Sequence, residues 1–479
     1  MLFVCLIDLI VSISIIWIAS RRSLEGALPC AAFAFTLLPP DAQLSLGFFQ
    51  LTPQRVVILT LVVLYWVLPK RGGSNSTTRL ALRGLIVLNI LWSLVSIGNS
   101  IVPVMSIKKL LSQGMEYYLV YVVCSKTITQ VRTIHKMLIA MVAAVVVCSL
   151  FGAVEVYGGW SVMQMLPSVQ HVFGTSGGIA VDTERGVRVS STFEHPILFG
   201  AALAMAITMA VYLQTIAKSR AQRLCLWTAV CLMFVNIYKT GSRGPWLALG
   251  MGLVIMFVLG QYRMRRTVLL FAFLITVALV LRPGVADSVL GIYRNSLDPN
   301  TAEYSSYQYR YALTHAAVDL LAKNPSRAVW GYGLESFYSL HLKGDFGGQM
   351  HEFLSCDNVW VGVMVETGYV GLILFVLMLS KPAIVAFRNY WRSSSDRNLH
   401  VLLFANLVMY YFMMSSVAMY SWGQNGYMLW ILISASLAYG GFRRPAKCGV
   451  LMPLDEKAVP AVSSPYGGQP EPTLIATRD

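Results

Sequence analysis

The sequence predicts an all-α, polytopic integral membrane protein with about 12 to 13 transmembrane helices and a long, partly helical extracytoplasmic loop. Three observations carry that expectation. The 479 residues are 56% hydrophobic and only 12% charged, far more apolar than a soluble domain, for which roughly half apolar and a quarter charged is usual. Apolar runs near the length of a membrane span recur along the chain, separated by short polar punctuation. The cations gather in alternate connections, as the sorting of short cytoplasmic loops requires.

The apolar runs occupy residues 2–19, 25–38, 54–69, 80–98, 110–125, 136–156, 196–217, 223–238, 245–260, 267–282, 358–380, 400–420 and 425–441. The first lacks a basic leader and an A-x-A cleavage site, which predicts a retained span. The second is short and contains Pro29, so it reads as a half-span or re-entrant piece. Cations at Arg21, Arg22, Lys70 and Arg71, and within 126–136, 218–223, 263–266, 381–397 and 443–447, fall on one side, which predicts the cytoplasm. The opposite side receives the long connections 157–195 and 283–357 and the turns near 39–53, 239–244 and 421–424. Residues 1–446 are expected to form the membrane domain. Residues 447–479, rich in Pro, Ser and Gly, are expected to be a disordered cytoplasmic tail.

A net charge of +15 would suit a nucleic-acid partner, but the cations are dispersed between spans, which argues against one. Eight cysteines form no CxxC and stand near no histidine cluster, so neither a disulfide framework nor a metal site is expected. Exceptions to the charge rule point to function: Lys108, Lys109, Arg188, Lys239, Arg243 and Arg310 sit on or near the outer face, where sorting gives no reason for them. They predict a bound anion. Asp8, Arg83, Glu116, Glu155 and Glu366 fall in or near spans and should face the interior or a water-filled cavity. Gly368 and Gly371 permit a bend or close packing beside Glu366.

Three stretches stand out. Gly186-Val-Arg188-Val-Ser-Ser-Thr-Phe193-Glu194-His195-Pro196 leads into a span. Thr240-Gly241-Ser242-Arg243-Gly244-Pro245-Trp246 opens another. Tyr309-Arg310 begins a third, running through Asn324-Pro325 and Trp330-Gly331-Tyr332-Gly333 to Asp357-Asn358, and ending at Gly368 and Gly371. In order, spacing and shared sidedness, over roughly residues 80–440, these resemble the O-antigen ligase and polymerase superfamily of bacterial membrane glycosyltransferases. Where family ligases place a His followed by Asn, Ser or Gln, this chain has Asp357, with His351 six residues earlier. The Asp-Asn-x-Trp form is similar to the O-antigen and exopolysaccharide polymerase branch.

The resemblance implies transfer of a glycan from an undecaprenyl diphosphate carrier to an acceptor hydroxyl at the outer face of the bacterial inner membrane. No nucleotide, metal or other cofactor is implied. Such a site must hold a diphosphate and deprotonate an alcohol. Arg188, Arg243 and Arg310 are the diphosphate candidates, because a guanidinium pairs phosphate oxygens with a planar fork; anchoring at helix ends is their plain alternative. Asp357 and His351 are the leading base candidates. Glu194 and His195 are further choices, and with Lys239 they are candidate substrate-binding residues. Asp357 would equally serve as the N-cap of the helix from 358. Tyr304, Tyr307, Tyr309, Tyr311, Trp330, Tyr332, Phe337 and Tyr338 would stack on sugars or seat the loop at the bilayer surface.

The expected activity is polymerisation of lipid-linked repeat units, with membrane lipid, a flippase and a chain-length regulator of the same pathway as partners. Its nearest rival is a ligase moving finished glycan to lipid A core or to protein. A flippase for the same lipid-linked sugar would predict internal repeats and charged broken-helix sites at mid-membrane, and the sequence contains no clear repeat. A structural subunit of an export complex is a third reading.

Overall fold

The computed structural model describes residues 2–46, 49–68, 80–165, 180–182, 186–281, 291, 302–393, 396–420 and 423–438. The expected tail, 447–479, lies outside the described residues, as do 166–179, 183–185, 282–290 and 292–301 of the two long connections and the side chain of Tyr304.

Each apolar run contains a helix, although the end of the 400–420 run, residues 414–420, forms turns. The first four are α1 (Leu2–Arg21), α2 (Leu24–Leu37), α3 (Pro53–Val67) and α4 (Arg83–Gly98). The fifth is composite: α5 (Pro103–Gln113), a π turn at Gly114–Tyr118, and α6 (Leu119–Thr127). Then follow α7 (Val131–Gly158), α8 (Pro196–Ile216), α9 (Arg220–Lys239), α10 (Arg243–Leu259) and α11 (Tyr262–Leu281). The long connection contributes α12 (Ala302–Ala322) and α13 (Pro325–Trp330), so it is partly helical as expected. The last three are α14 (Val359–Arg392), α15 (Arg397–Met413) and α16 (Gly423–Ala438). Strands occur only as antiparallel pairs among the described residues: β1–β2 (Leu44–Leu46, Phe49–Leu51), β3–β4 (Ala180–Asp182, Gly186–Arg188) and β5–β6 (Lys343–Phe346, Gln349–Glu352). An all-helical bundle is what lipid demands, since every backbone polar group must be bonded within its own segment.

By length and hydropathy, α7, α8, α9 and α14 suffice to cross a bilayer, and α2, α3, α4 and α10 are shorter apolar helices. Starts follow local chemistry. Ser219 and Gln222 form a capping box on α9, and Thr52 caps α3 ahead of Pro53. At the opening of α7, the Glu25 carboxylate accepts from the Thr129 and Gln130 amides (2.9 and 3.1 Å) and from the Thr133 hydroxyl (2.7 Å).

The bundle closes around α8 and α16. All but three residues of α8 are buried, and its Gly200, Ala201, Ala202, Ala204, Ala206 and Ala210 let neighbouring backbones come near, which is how helices associate where lipid removes the hydrophobic drive. Asn406 of α15 donates to the Thr208 hydroxyl of α8 at 3.0 Å, a polar bond between buried groups.

The bend expected near Gly368 is a full break: α14 carries φ 71° and ψ −178° there, about 10 to 14 Å into the helix. The carbonyls this frees are occupied. Val365 and Glu366 accept from the Tyr332 and Gly333 amides (3.0 and 2.9 Å), Glu366 also from the Ser96 hydroxyl (2.7 Å), and Thr367 from the Trp92 indole (2.8 Å). A Cβ on Gly331 would strike the Glu366 carbonyl and one on Gly368 the Val329 carbonyl, so the two glycines let the long connection seat on the break. The same segment is held by a Lys109–Glu335 ion pair and by Glu366, which accepts from the Glu335 amide at 3.0 Å. Above the break, Leu313, Ala317, Leu321, Phe337 and Phe353 pack on Val361 and Val365, tying the connection to α14.

Candidate active site

The first motif is fixed from below by Glu155, in the last turns of α7. Its buried carboxylate accepts from the Ser190 and Ser191 amides at 3.2 and 2.8 Å, and Ser191 holds a left-handed φ of 58°. A serine is disfavoured there, and the carboxylate together with the Ser191 hydroxyl bond to the Cys148 carbonyl (2.7 Å) supplies the compensation. With that turn set, Arg188 reaches the second motif. Its Nε donates to the Thr240 carbonyl (2.9 Å) and an Nη to the Ser242 hydroxyl (3.0 Å). Arg188 thus ties the end of the first motif to the 240–244 turn.

Arg243 follows directly, half-buried at the start of α10. The next residue, Gly244, packs so near the α15–α16 connection that a Cβ on it would lie 3.0 Å from the Ser416 hydroxyl. Arg310, from α12, donates to the Ser416 carbonyl at 3.2 Å. Two residues earlier, the Met414 carbonyl accepts from the Val359 amide at the head of α14 (2.9 Å). The three arginines and the Asp357-Asn358 pair, distant in sequence, thus converge on the 240–244 turn and the 414–416 turn. Gln424 closes the ring, donating to the Thr192 carbonyl at 3.1 Å.

Asp357 is not the cap of α14. Asn358 is: its Oδ1 accepts from the Trp360 and Val361 amides at 3.0 and 3.4 Å, with an extended backbone at φ −125°. The Asp357 carboxylate is half-exposed, accepts from the Ser355 hydroxyl at 3.3 Å, and lies within electrostatic reach of Tyr309 and Tyr338. His351 is exposed on β6 opposite Gly344, its ring 5.4 to 5.8 Å from those of Phe346, Phe353 and Tyr309. The loop aromatics divide accordingly: Phe337 is buried and Tyr309 half-buried in packing, whereas Tyr307, Tyr311 and Tyr338 are exposed.

His195 caps α8, its Nδ1 accepting from the Ile197 amide at 3.1 Å. Burial and the nearby Arg188 push it down to about 4, so the ring is neutral. Glu194 goes the other way: burial, then the carboxylates of Asp41 and Glu116, raise it to about 8. Lys239 ends α9, where a cation complements the helix dipole; its carbonyl accepts from the Val189 amide (3.2 Å) and its ammonium lies 5.7 Å from the Tyr238 ring centre.

Sequence reasoning missed the clamp by Glu155, the hub at Ser416, and Gln424. A polar Ser-Ser pair closing the aromatic run of α15 was the available signal for the second. No group of three or more His, Cys, Asp or Glu able to hold a metal ion occurs among the described residues.

No curated protein matches the chain. Residues 228–376, which carry Arg243, Arg310, His351 and Asp357, match the family model described as O-antigen ligase, which supports the likeness of that part of the chain to the O-antigen ligase and polymerase superfamily.

Proposed function

We propose that the protein polymerises undecaprenyl-diphosphate-linked oligosaccharide repeat units at the outer face of the bacterial inner membrane. The observation that carries this reading is the convergence of Arg188, Arg243 and Arg310 with Asp357 on two adjoining turns at one end of the bundle. An acceptor hydroxyl attacks the anomeric carbon of the donor glycan, and Asp357 takes its proton. The bond from that carbon to the diphosphate oxygen breaks, and the electron pair leaves with the diphosphate. Charge grows on the diphosphate as this happens, so guanidinium groups already aimed at it bind the transition state better than the ground state. Neither a nucleotide nor a metal is needed. His351, packed among aromatic rings on the hairpin beside α12, orders the loop over the site, and the exposed tyrosines offer faces to sugar. The flippase and the chain-length regulator of the pathway are the proposed partners.

Asp357 in place of the ligase histidine favours polymerase over ligase. The broken helix at Gly368 is a feature a transporter would also have. Its freed carbonyls, however, are bonded by Tyr332, Gly333, Ser96 and Trp92, and the arginine cluster lies at the bundle end rather than beside the break. Deletion of the gene in its host separates the enzymes. The expected surface glycan is a single repeat unit on its acceptor; an acceptor bearing no unit would indicate a ligase, and unchanged long polymer would contradict both.

A further inference from the structure

Beside the arginine site lies a group of polar residues that the proposed reaction leaves unused. Glu194 stands within electrostatic reach of Asp41, from the connection between α2 and α3, and of Glu116, in the π turn; all three are partly exposed. Glu116 is paired with Arg55 at 2.5 Å and accepts from the Ser112 hydroxyl at 2.9 Å. Next to this pair, Tyr117 and Tyr427 meet edge to face with ring centres 5.7 Å apart, each at most 2% exposed, and Tyr427 lies within reach of both Glu116 and Arg55. Neither hydroxyl has a protein hydrogen-bond partner among the described residues. The same is true of Gln54 Oε1 on α3 and Asn425 Oδ1 on α16, both also buried.

Buried polar atoms are nearly always hydrogen-bonded, and the unpartnered hydroxyls of Tyr117 and Tyr427 beside the Arg55–Glu116 pair call for a partner from outside the chain. The backbone supports that conclusion. A π turn is rare and concentrates at functional sites because it re-aims side chains. Gly423, at a positive φ, brings the head of α16 against Pro40 and so joins the α2–α3 connection to the same place.

We propose that Asp41, Gln54, Glu116, Tyr117, Glu194 and Tyr427 form a saccharide subsite that holds an uncharged sugar of the glycan through its hydroxyls. Phenols that both donate and accept, an amide oxygen, and carboxylates are the complement of vicinal hydroxyls. A Glu194 that keeps its proton near neutrality can donate to a sugar oxygen as well as accept. The local excess of carboxylate disfavours a phosphate or uronate here and so separates this subsite from the diphosphate site. The two are nonetheless adjacent: Glu194 follows Arg188 by six residues, and Gln424 bonds Thr192 between them.

This inference rests on the glycan-transfer reading, and its test separates the two. The full-length protein in nanodiscs is titrated with the host's repeat-unit oligosaccharide, released from its carrier by mild acid, and in parallel with undecaprenyl diphosphate bearing no sugar. Tyr427→Phe and Tyr117→Phe keep ring shape and remove one hydroxyl; Glu194→Gln keeps shape and removes the titrating group. Each variant is expected to weaken oligosaccharide binding, and to raise KM for the lipid-linked unit, by about 5- to 10-fold, as loss of one hydrogen bond does, with kcat within about twofold and undecaprenyl diphosphate binding unchanged. Wild-type oligosaccharide affinity in all three variants would overturn the subsite and leave those atoms to water. Equal losses for both probes would overturn it as well, by showing a general structural defect. Oligosaccharide binding that the variants abolish, in a protein that transfers no glycan, would instead retain the subsite and refute the polymerase.

Discussion

Arg310→Lys is expected to lose most polymer synthesis, roughly 10²-fold in kcat, at unchanged protein abundance, although the charge is kept. Arg310 reaches the 414–416 turn from α12, with one Nη on the Ser416 carbonyl at 3.2 Å. A guanidinium can keep that bond and still turn other N–H groups toward a diphosphate, because its donors form a rigid planar fork. An ammonium on a flexible stem is a point charge and cannot hold both geometries. Arg188→Lys should behave alike for a second reason: it also loses the bonds to Thr240 and Ser242 that position the 240–244 turn, and with it Arg243. Synthesis is measured as polymer ladder per unit of membrane protein, with abundance determined first. Near-normal ladders from the Lys variants of Arg188, Arg243 and Arg310 would remove the diphosphate clamp from the account.

Asp357→Asn is expected to lower the polymerisation rate by roughly 10²- to 10⁴-fold, the usual consequence of removing a general base. The structure makes this substitution clean. Asn358 caps α14, so a change at 357 leaves the cap bonds to Trp360 and Val361 in place. The contrasting variant, Asn358→Ala, should cost about 1 kcal/mol of stability and act mainly through abundance. His351→Ala should lower the rate only slightly, since its ring packs on Tyr309, Phe346 and Phe353. A deep loss in His351→Ala, with near wild-type turnover in Asp357→Asn and a shifted acid limb of the rate profile, would transfer the base to the histidine.

The helices were legible because lipid leaves the chain so little choice: an apolar run must bond its own backbone, and each of the predicted runs contains a helix, the one in 400–420 ending at Met413. What interrupts them was less legible. Gly368 and Gly371 announced a bend beside Glu366, but a break depends on partners for the freed carbonyls, and these come from Trp92, Ser96 and the 331–333 segment, distant in sequence. The π turn at Gly114–Tyr118 has no sequence signature of its own. At the site, residue type identified the arginines, but type alone could not say that Arg188 is bonded to Thr240 and Ser242. Asp357 and Asn358 are adjacent and equally suited to cap a helix; only the backbone conformation at 358 and the bonds to Trp360 and Val361 assign that role to the asparagine. Glu155 read as an interior carboxylate and is one, yet its work on Ser190 and Ser191 required knowing that this loop folds back over the end of α7.

The central claim is tested most directly by incubating the purified protein in liposomes with purified undecaprenyl-diphosphate-linked repeat units alone, without metal or nucleotide, and resolving the lipid-linked products by size. The account predicts a ladder of products that increase by one repeat unit, with undecaprenyl diphosphate released at each step. No ladder in that mixture, with transfer appearing only when lipid A core or an acceptor protein is supplied, would contradict it.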